Sequence, residues 1–305
     1  MSRVAQADAK PFLKWAGGKR QLVPQIDRFF PEAVKDGSIG RYVEPFVGSG
    51  AVFFHVAQSY AVSELIISDS NAELIVAYRT IKRCADKLIS ALQDIEYRYH
   101  SLAEEKRKVF FYEQRAQFNA DATEFDHLSR ENVERTAQLI FLNRTCYNGL
   151  FRVNSKGEFN VPYGRYKNPT ICDAVNLQSV ARVLQRTEIH LGPYSNCEKV
   201  VDGNTLVYFD PPYRPISKSA SFTAYSNQIF DDKAQEDLAE FYRMLDKRGA
   251  KLMLSNSDPK NVDPNDSFFE EAYAGFRIER VCARRRINSR PDKRGPIQEL
   301  LILNY

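Results

Sequence analysis

The sequence is poor in the residues that build metal sites and disulfide frameworks. Its 305 residues include four scattered histidines and five cysteines, and no two cysteines form a CxxC pair. The cysteines are Cys84, Cys146, Cys172, Cys197 and Cys282. Cysteines that are odd in number and widely spaced argue against both a disulfide framework and a zinc site. We therefore expect a protein that works without a metal ion.

Long apolar runs are missing as well. No segment approaches the roughly 18 consecutive apolar residues of a membrane-spanning helix, and the opening residues MSRVAQADAK lack the apolar region of a signal peptide. We therefore expect a cytoplasmic protein that does not enter a membrane. A hydrophobic content of 43% is enough for a full core in one large or two ordinary domains. The net charge of +4 is small, although local basic clusters are suited to phosphate contacts.

The pattern of apolar residues predicts an α/β core with an insertion. Residues 41–69 predict a strand, a glycine-containing turn, a helix and a second strand, which together form a βαβ unit. After residue 171, strands are predicted in EIHLG, LVYFDPPY, AKLMLSNS and LLILNY, with a helix in DDKAQEDLAEFYRML. Between them, helical periodicity from Leu74 to about Leu142 precedes a segment in which NSKGE predicts a hairpin turn. We predict a core of residues 1–71 and 171–305, interrupted by a helical and hairpin domain at 72–170.

The turn EPFVGSG predicts a cofactor site. Gly48 and Gly50 allow a tight turn from strand to helix and close approach of a ligand. Asp69 ends the next strand, where an acid can bind ribose hydroxyls. Phe53 stands where GxGxxG has its third glycine, which disfavours a pyrophosphate-bearing cofactor and leaves an adenosine cofactor without phosphates. S-adenosylmethionine fits this description, and the plainer alternative is that Glu44 and Asp69 are solvated acids at strand ends.

The stretch LVYFDPPYRP predicts a ligand-binding edge. Leu206–Phe209 is a continuous apolar run of the kind found in buried parallel strands, so Asp210 comes at the carboxyl end of a strand. Ligands of open α/β folds bind at that end. Pro211 and Pro212 each fix their own φ and lack an N–H, which predicts a stiff ledge with free carbonyls. The plainer alternative is a turn that only ends the strand.

Several segments together resemble one family. FLKWAGGK, VEPFVGSGAVF, LNRTCYNGLFRVN, GEFNVPYGRY and DPPY resemble, in this order, the Dam-type (D12 class) DNA N6-adenine methyltransferases, and the resemblance extends from Pro11 to Tyr305. It implies a class I S-adenosylmethionine-dependent methyltransferase fold, Rossmann-like with a mostly parallel sheet, in which residues 72–170 form an inserted target-recognition domain. It also implies that the product is N6-methyladenine in double-stranded DNA, commonly within GATC.

The resemblance supplies a use for the Asp-Pro-Pro-Tyr ledge of residues 210–213. The exocyclic amine of adenine is a poor nucleophile, because its lone pair is delocalised into the ring. Asp210 and the carbonyl of Pro211 can accept its two N–H groups and turn the lone pair toward the sulfonium methyl, while Tyr213 stacks on the base. Pro212 completes the ledge. The base is out of reach inside a duplex, so it must be flipped out.

The same resemblance assigns further residues. Those implied to line the cofactor site are Trp15, Lys19, Glu44, Phe46, Gly48, Gly50, Asp69 and Asp210. Those implied to contact DNA are Lys14, Arg144, Tyr147, Asn148, Leu150, Arg152, Pro162 and Arg165. Among them, Tyr147 matches the aromatic residue that enters the DNA stack, Arg144 a phosphate contact and Lys14 a contact to the first base pair. Arg152 is the best candidate for the outer G·C pair, because a bidentate arginine is the commonest specific reader of guanine.

Other functions remain open on the sequence alone. A cytosine-N4 or protein-glutamine methyltransferase shares the ledge but usually carries Ser or Asn in place of Asp210, and a catalytically silent DNA-binding relative is a different class of answer. We expect a monomer or weak dimer, either solitary or accompanied by a restriction endonuclease. The basic segment RRRINSRPDKRGP from Arg284 to Pro296 is either a phosphate-contacting loop or a solvated turn.

Overall fold

The computed structural model describes residues 7–120, 130–214, 230–284 and 296–305 of the chain. In these ranges the strands are β1 (Arg41–Glu44), β2 (Glu64–Asp69), β3 (Thr187–Leu191), β4 (Thr205–Phe209), β5 (Lys251–Ser257), β6 (Arg277–Arg284) and β7 (Pro296–Leu303). They form a seven-stranded sheet in the order β3-β2-β1-β4-β5-β7-β6. The strands β3, β2, β1, β4 and β5 are parallel, whereas β7 is antiparallel to both of its neighbours. The predicted α/β fold with a mostly parallel sheet is confirmed.

Helices cover both faces of the sheet. They are α1 (Val23–Ile26), α2 (Glu32–Lys35), α3 (Ala51–Ser59), α4 (Ala72–Ser101), α5 (Glu104–Ala120), α6 (Arg130–Thr145), α7 (Ala174–Gln185), α8 (Asp232–Asp246) and α9 (Phe268–Ala272). Side chains cap three of the longer helices: Asn71, Asp173 and Asp231 each accept a hydrogen bond from a main-chain N–H of the first turn. These residues leave the α region before the helix starts, and so define where each helix begins.

The sheet separates two apolar cores. On adjacent parallel strands, Tyr42 and Tyr208 face the larger core, which contains residues of α3, α4 and α7. Val43 and Val207 face the other, which α8 and α9 cover. This alternation follows from the two-residue period of a strand, and burial on both faces explains why these strands are almost continuously apolar.

Helix α4 connects the sheet with the region predicted as an insertion. Leu74 and Tyr78 in its first turns are buried in the larger core, and α4 also packs on α6 and α7. Cys84 has non-helical dihedral angles (φ −133°, ψ 34°) and kinks the helix. Arg135 on α6 donates from Nε to both carboxylate oxygens of Glu73, at 3.0 and 2.9 Å. The helices of the predicted insertion therefore share a core with the sheet, and the boundary predicted at residue 72 falls at the start of a helix that belongs to both.

The hairpin turn predicted in NSKGE is present. Gly157 has φ 81°, and Asn154 accepts from Gly157 N through its carbonyl and from Lys156 N and Glu158 N through its side chain. The flanking segments do not form a regular ladder. Instead, two isolated bridges, Cys146 with Tyr163 and Val153 with Phe159, hold the described part of this loop together.

Candidate active site

Three acidic residues lie at one edge of the sheet. Glu44 ends β1, Asp69 ends β2 and Asp210 follows β4, and these strands are neighbours in the order β2-β1-β4. Because the strands are parallel, their carboxyl ends meet at the same edge, where ligands of such sheets bind. Burial raises the pKa of all three carboxyl groups, and the pKa of Glu44 rises well above its ordinary value. A cationic ligand offsets this cost of ionising the carboxyl groups, whereas a phosphate adds to it.

Lys19 is the cation of this edge. Its Nζ donates to Asp210 Oδ1 at 2.6 Å, to the hydroxyl of Tyr213 at 2.7 Å and to the carbonyl of Gly17 at 3.2 Å. The lysine is 3% exposed. Burial opposes its charge, but Asp210, Tyr213 and Glu299 together raise its pKa well above the ordinary value. The sequence-predicted residues Lys19, Asp210 and Tyr213 are therefore in direct contact.

Asp210 has a second support that the sequence did not indicate. Its Oδ1 also accepts a hydrogen bond from Ser255 Oγ on β5 at 3.1 Å. Ser255 in turn lies 2.9 Å from the hydroxyl of Tyr208, and both of these side chains are buried. With Oδ1 held by two donors, the carboxylate has a defined orientation, and Oδ2 bonds no described residue.

Side-chain contacts hold the ledge after β4 in place. Pro211 is buried, and the carbonyl of Pro212 accepts a hydrogen bond from Gln235 Nε2 at 3.0 Å. The expectation that both proline carbonyls are free is therefore wrong for Pro212, because α8 supplies a buried donor beneath it. Arg214 extends the anchoring, since its guanidinium binds Asp232 at 2.7 Å and Asp266 at 2.6 Å.

The glycine turn after β1 is tightly built. Gly48 and Gly50 both have positive φ, 47° and 72°. Gly48 N donates to Asp69 Oδ2 at 3.1 Å, and the hydroxyl of Tyr78 donates to Gly48 O at the same distance. A Cβ at Gly50 would lie 2.6 Å from the Tyr78 hydroxyl, and one at Gly48 would lie 3.1 Å from Cδ1 of Trp15. A side chain at either position would press on an aromatic residue, and the positive φ of both positions favours glycine.

Aromatic residues flank the acidic residues at this edge of the sheet. Trp15 is half-buried beside the glycine turn and stacks on Phe151, with the ring centroids 5.4 Å apart. Phe46 stacks on Tyr194 at 5.3 Å. Glu44 accepts a 2.5 Å hydrogen bond from the hydroxyl of Tyr42. Carboxylates for hydroxyl and ammonium groups, glycines for close approach and aromatic walls fit S-adenosylmethionine, an adenosine cofactor without phosphates.

The predicted DNA-contacting residues gather on one loop and the segment before the glycine turn. Tyr147 is 55% exposed, and its N donates to the carbonyl of Pro162 at 2.8 Å. Asn143, which the sequence did not single out, accepts from Lys14 N at 2.8 Å and donates to the carbonyls of Lys14 at 2.9 Å and Gly149 at 3.0 Å. It therefore ties Lys14 to the loop that carries Tyr147.

The remaining DNA-contact candidates differ in exposure. Asn148 and Arg165 are exposed and have positive φ, 57° and 56°, whereas Leu150 is half-buried. Arg152 is half-buried and donates from Nε to Asn160 Oδ1 at 2.7 Å. Arg144 donates from Nη2 to the carbonyl of Phe12 at 2.8 Å, and burial lowers its pKa. Arg144 anchors the end of α6 in this conformation, and its predicted phosphate contact stays a prediction.

Some expectations lie outside the described residues. Residues 285–295, which make up nearly all of the basic segment, are among these. Within the described ranges, all five cysteines are free thiols, and no group of three His, Cys, Asp or Glu side chains has the arrangement of a metal site. The described helices include none with the length and apolar character needed to cross a membrane.

Comparison with known proteins identifies the family. The sequence profile of the D12 class N6 adenine-specific DNA methyltransferases matches residues 15–287. The chain belongs to this class, and the predicted family is confirmed. It is an adenine-specific DNA methyltransferase, so neither the cytosine-N4 nor the silent alternative is favoured.

Individual relatives cover nearly the whole chain. It is 51% identical to the type II methyltransferase M.MjaIII of Methanocaldococcus jannaschii over 299 residues, which are 98% of this chain and 100% of that one. It is 37% identical to the type II methyltransferase M1.LlaDCHI of Lactococcus lactis subsp. cremoris, over 97% of this chain and 95% of the relative. The DNA adenine methylase of Escherichia coli (strain K12) is 34% identical over 96% of this chain and 95% of its own length.

Proposed function

We propose that the methyl donor is S-adenosylmethionine and that it binds at the edge formed by Glu44, Asp69 and Asp210. When bound, it supplies a methyl group on a sulfonium sulfur. Asp69 and Glu44 are acceptors for hydroxyl and ammonium groups, and the glycine turn leaves room for the adenosine. Lys19, Trp15 and Phe46 close the sides of the site. A sulfonium stabilises the ionised form of these carboxyl groups, whereas a nucleotide phosphate opposes it.

The ledge then orients the adenine amine. Asp210 accepts one N–H, the carbonyl of Pro211 accepts the other, and Tyr213 stacks on the ring. The Lys19 and Ser255 donors hold the carboxylate of Asp210 in place before the base arrives. A pre-organised acceptor stabilises the positive charge that develops on the nitrogen.

The target adenine leaves the duplex to reach this site. Tyr147 is exposed and its main-chain N donates to the carbonyl of Pro162, which suits a residue that fills the DNA stack. Lys14, Asn148, Leu150, Arg152, Pro162 and Arg165 read the site, with Arg144 at a phosphate. We propose that the sequence read is GATC.

The observation that carries this proposal is the meeting of the carboxyl ends of β1, β2 and β4 at one edge, where Glu44, Asp69 and Asp210 lie. At that edge Asp210 and Tyr213 of the Asp-Pro-Pro-Tyr ledge bind the Lys19 ammonium. It is tested by digestion of DNA from an expressing host with nucleases sensitive to methylation of GATC. Protection confined to GATC supports the proposal, and protection of a different sequence overturns its specificity.

A variant tests the chemistry separately. Asp210→Ala is expected to lower turnover by roughly 100-fold or more, because the acceptor of the amine is lost. DNA affinity stays close to that of the wild type. Near wild-type methylation by this variant rules out the proposed role of Asp210.

Assembly is a separate question. We propose that the enzyme is a monomer or a weak dimer, and that a restriction endonuclease of the same specificity accompanies it, since two relatives carry the name type II methyltransferase. Light scattering across a concentration series tests the first point. Cleavage of unmethylated DNA at the same sequence by an extract of the source organism tests the second.

A further inference from the structure

Glu299 on β7 is a buried carboxylate without an evident role. The residue is 7% exposed, and its Oε2 accepts no hydrogen bond from any described residue. The ammonium of Lys19 lies 3.5 Å from Oε2. A buried charged oxygen that lacks a hydrogen bond destabilises the fold, and such groups are retained when they serve another purpose.

The hydrogens of Lys19 are all engaged elsewhere. An ammonium group has three, and its contacts to Asp210, Tyr213 and Gly17 use each of them. Glu299 lies just beyond the usual N–H···O range of about 2.7–3.2 Å but within ion-pair distance. A small movement of Nζ therefore exchanges Asp210 for Glu299 as its carboxylate partner.

Such an exchange answers a difficulty at Asp210. Oδ2 of Asp210 is open to the amine, but the Lys19 ammonium on Oδ1 compensates the charge of the carboxylate and so weakens the whole group as an acceptor. The proposed chemistry requires Asp210 to accept an N–H of the amine and to stabilise positive charge on it. Release of the ammonium restores that capacity.

We propose that Glu299 is a positioning residue that takes over the Lys19 ammonium when the amine of the target base engages Asp210. The inference rests on the proposed role of Asp210. Two carboxylates share one ammonium, so Lys19 stays paired in both arrangements and never becomes an isolated buried charge. In the base-bound arrangement the free negative charge lies at Asp210, next to the nitrogen that becomes positive.

The pH dependence of the reaction distinguishes this role from packing. The charged and titratable groups that act on Asp210 or face it from the surrounding elements are Lys19, Glu44, Tyr208, Tyr213 and Glu299. The negative charge of Glu299 raises the pKa of Asp210. Its removal lowers that pKa, so Asp210 stays ionised to a lower pH and the acid limb of the kcat profile moves down.

The test is Glu299→Gln, which keeps the shape and removes the charge. With Lys19 held on Asp210 alone, we expect kcat for DNA methylation to fall by about tenfold or more, as the loss of one charge-assisted interaction would predict. The Kd for the DNA substrate stays within about twofold of the wild type, since no DNA contact is altered. The acid limb moves to lower pH.

Two further variants complete the design. Glu299→Asp keeps the negative charge on a shorter side chain. The acid limb of its kcat–pH profile therefore stays at the wild-type pH, while kcat is partly lost. Glu279→Gln, the same change on the adjacent strand β6 where the carboxylate binds Arg277, leaves kcat and the limb unchanged. If Glu299→Gln fails to fold, Glu299→Asp decides alone, and wild-type kcat in that variant overturns the proposal.

The opposing outcomes are specific. Wild-type kcat in Glu299→Gln overturns the proposal, and so does a loss of kcat shared equally by both Glu299 variants with the acid limb unmoved, which assigns Glu299 to packing. Either result leaves the proposed function intact as long as Asp210→Ala is inactive. An active Asp210→Ala removes the proposed function instead.

Discussion

The side-chain amide of Gln235 donates a hydrogen bond to the carbonyl of Pro212 over 3.0 Å and so ties α8 to the ledge that follows β4. Gln235 is fully buried and accepts in turn from Asn256 Nδ2 of β5 at 3.3 Å. These two hydrogen bonds fix the position of the ledge relative to α8 and β5, although proline supplies no N–H of its own to hold it.

Gln235→Leu should loosen the ledge. The change leaves the Pro212 carbonyl and the Asn256 amide without a partner in a buried region, which costs about 1–3 kcal/mol of stability for a lost partner. We expect kcat to fall more than KM for DNA rises, because positioning for the reaction is disturbed and DNA contacts are not. Chemical denaturation and steady-state kinetics measure the two effects.

A matched control is available on α7. Gln178→Leu removes an amide that binds Asp86 at the surface, and it should change neither quantity. If Gln235→Leu loses stability but keeps the wild-type kcat, the amide supports folding only and the ledge does not depend on it.

A second prediction concerns Glu44. Its folded-state pKa is raised by burial, so the folded protein holds this proton to a higher pH than the unfolded chain does. The stability associated with the neutral form is present at low pH and is lost as the pH rises through the folded pKa. The Glu44→Gln variant does not lose this stability as the pH rises, and its side-chain oxygen can still accept the hydrogen bond from the Tyr42 hydroxyl. Without bound ligand, we expect this variant to melt at a higher temperature than the wild type above neutral pH. The expected difference is about 2–4 °C for each kcal/mol added to the free energy of unfolding.

The measurement is the difference in melting temperature across a pH series. The advantage of Glu44→Gln should shrink as the pH falls and vanish below about pH 4, where the wild-type carboxyl is neutral in both states. Calorimetric titration should show weaker binding of S-adenosylmethionine, since an acceptor at its site has lost its charge. Glu188→Gln, at an exposed position on β3, is the control. A melting temperature unaltered at every pH would mean that Glu44 is solvated.

The central features of the site were predictable from local sequence. The strand β4, the position of Asp210 and the glycine turn follow from apolar runs, prolines and glycines that lie within a few residues of each other. The supports of Asp210 are not local. Ser255 is beside it because Phe209 pairs with Leu254 in the parallel register of β4 and β5, so the next residue of each strand is adjacent. Nothing in a single segment specifies that register.

The antiparallel strands β6 and β7 were harder to predict, because their place in the sheet also depends on pairing between distant segments. The strand β6 includes four charged residues, Arg277, Glu279, Arg280 and Arg284, so it lacks the continuous apolar run of a buried strand. Among the described strands it pairs through one edge only. Glu299 reaches Lys19 because β7 lies between β5 and β6, an order that the sequence does not encode locally. Residues that act through distant neighbours are therefore missed.

A third prediction concerns Tyr147. Tyr147→Ala should weaken extrusion of the target adenine more than overall DNA affinity, because an exposed aromatic ring that fills the vacated stack acts mainly on the flipped state. Fluorescence of 2-aminopurine at the target position reports extrusion, and anisotropy reports affinity. Tyr97→Ala removes an even more exposed tyrosine from α4 and serves as the control. A fluorescence signal equal to that of the wild type would assign Tyr147 to packing of the loop.

The last prediction separates reading of the sequence from contact with the backbone. The Nε of Arg152 is held by Asn160 at 2.7 Å, while its two Nη atoms bond no described residue, so one side of the guanidinium is fixed and the other is available. That geometry suits guanine O6 and N7. Arg152→Ala should cost roughly 1–3 kcal/mol of discrimination and relax the choice at one outer base pair of the site.

Arg144 and Lys156 supply the contrast. Arg144→Ala is predicted to weaken binding on all sequences and to make the salt slope shallower by about one unit if the side chain leaves Phe12 for a phosphate. Lys156→Ala removes one positive charge from the exposed turn that follows Arg152 and should leave the order of preference among sequences unchanged. Methylation rates on GATC and on each single-base variant, across a salt series, measure all three. If Arg152→Ala loses activity equally on every sequence with a shallower salt slope, Arg152 holds the backbone and another residue reads the outer base pair.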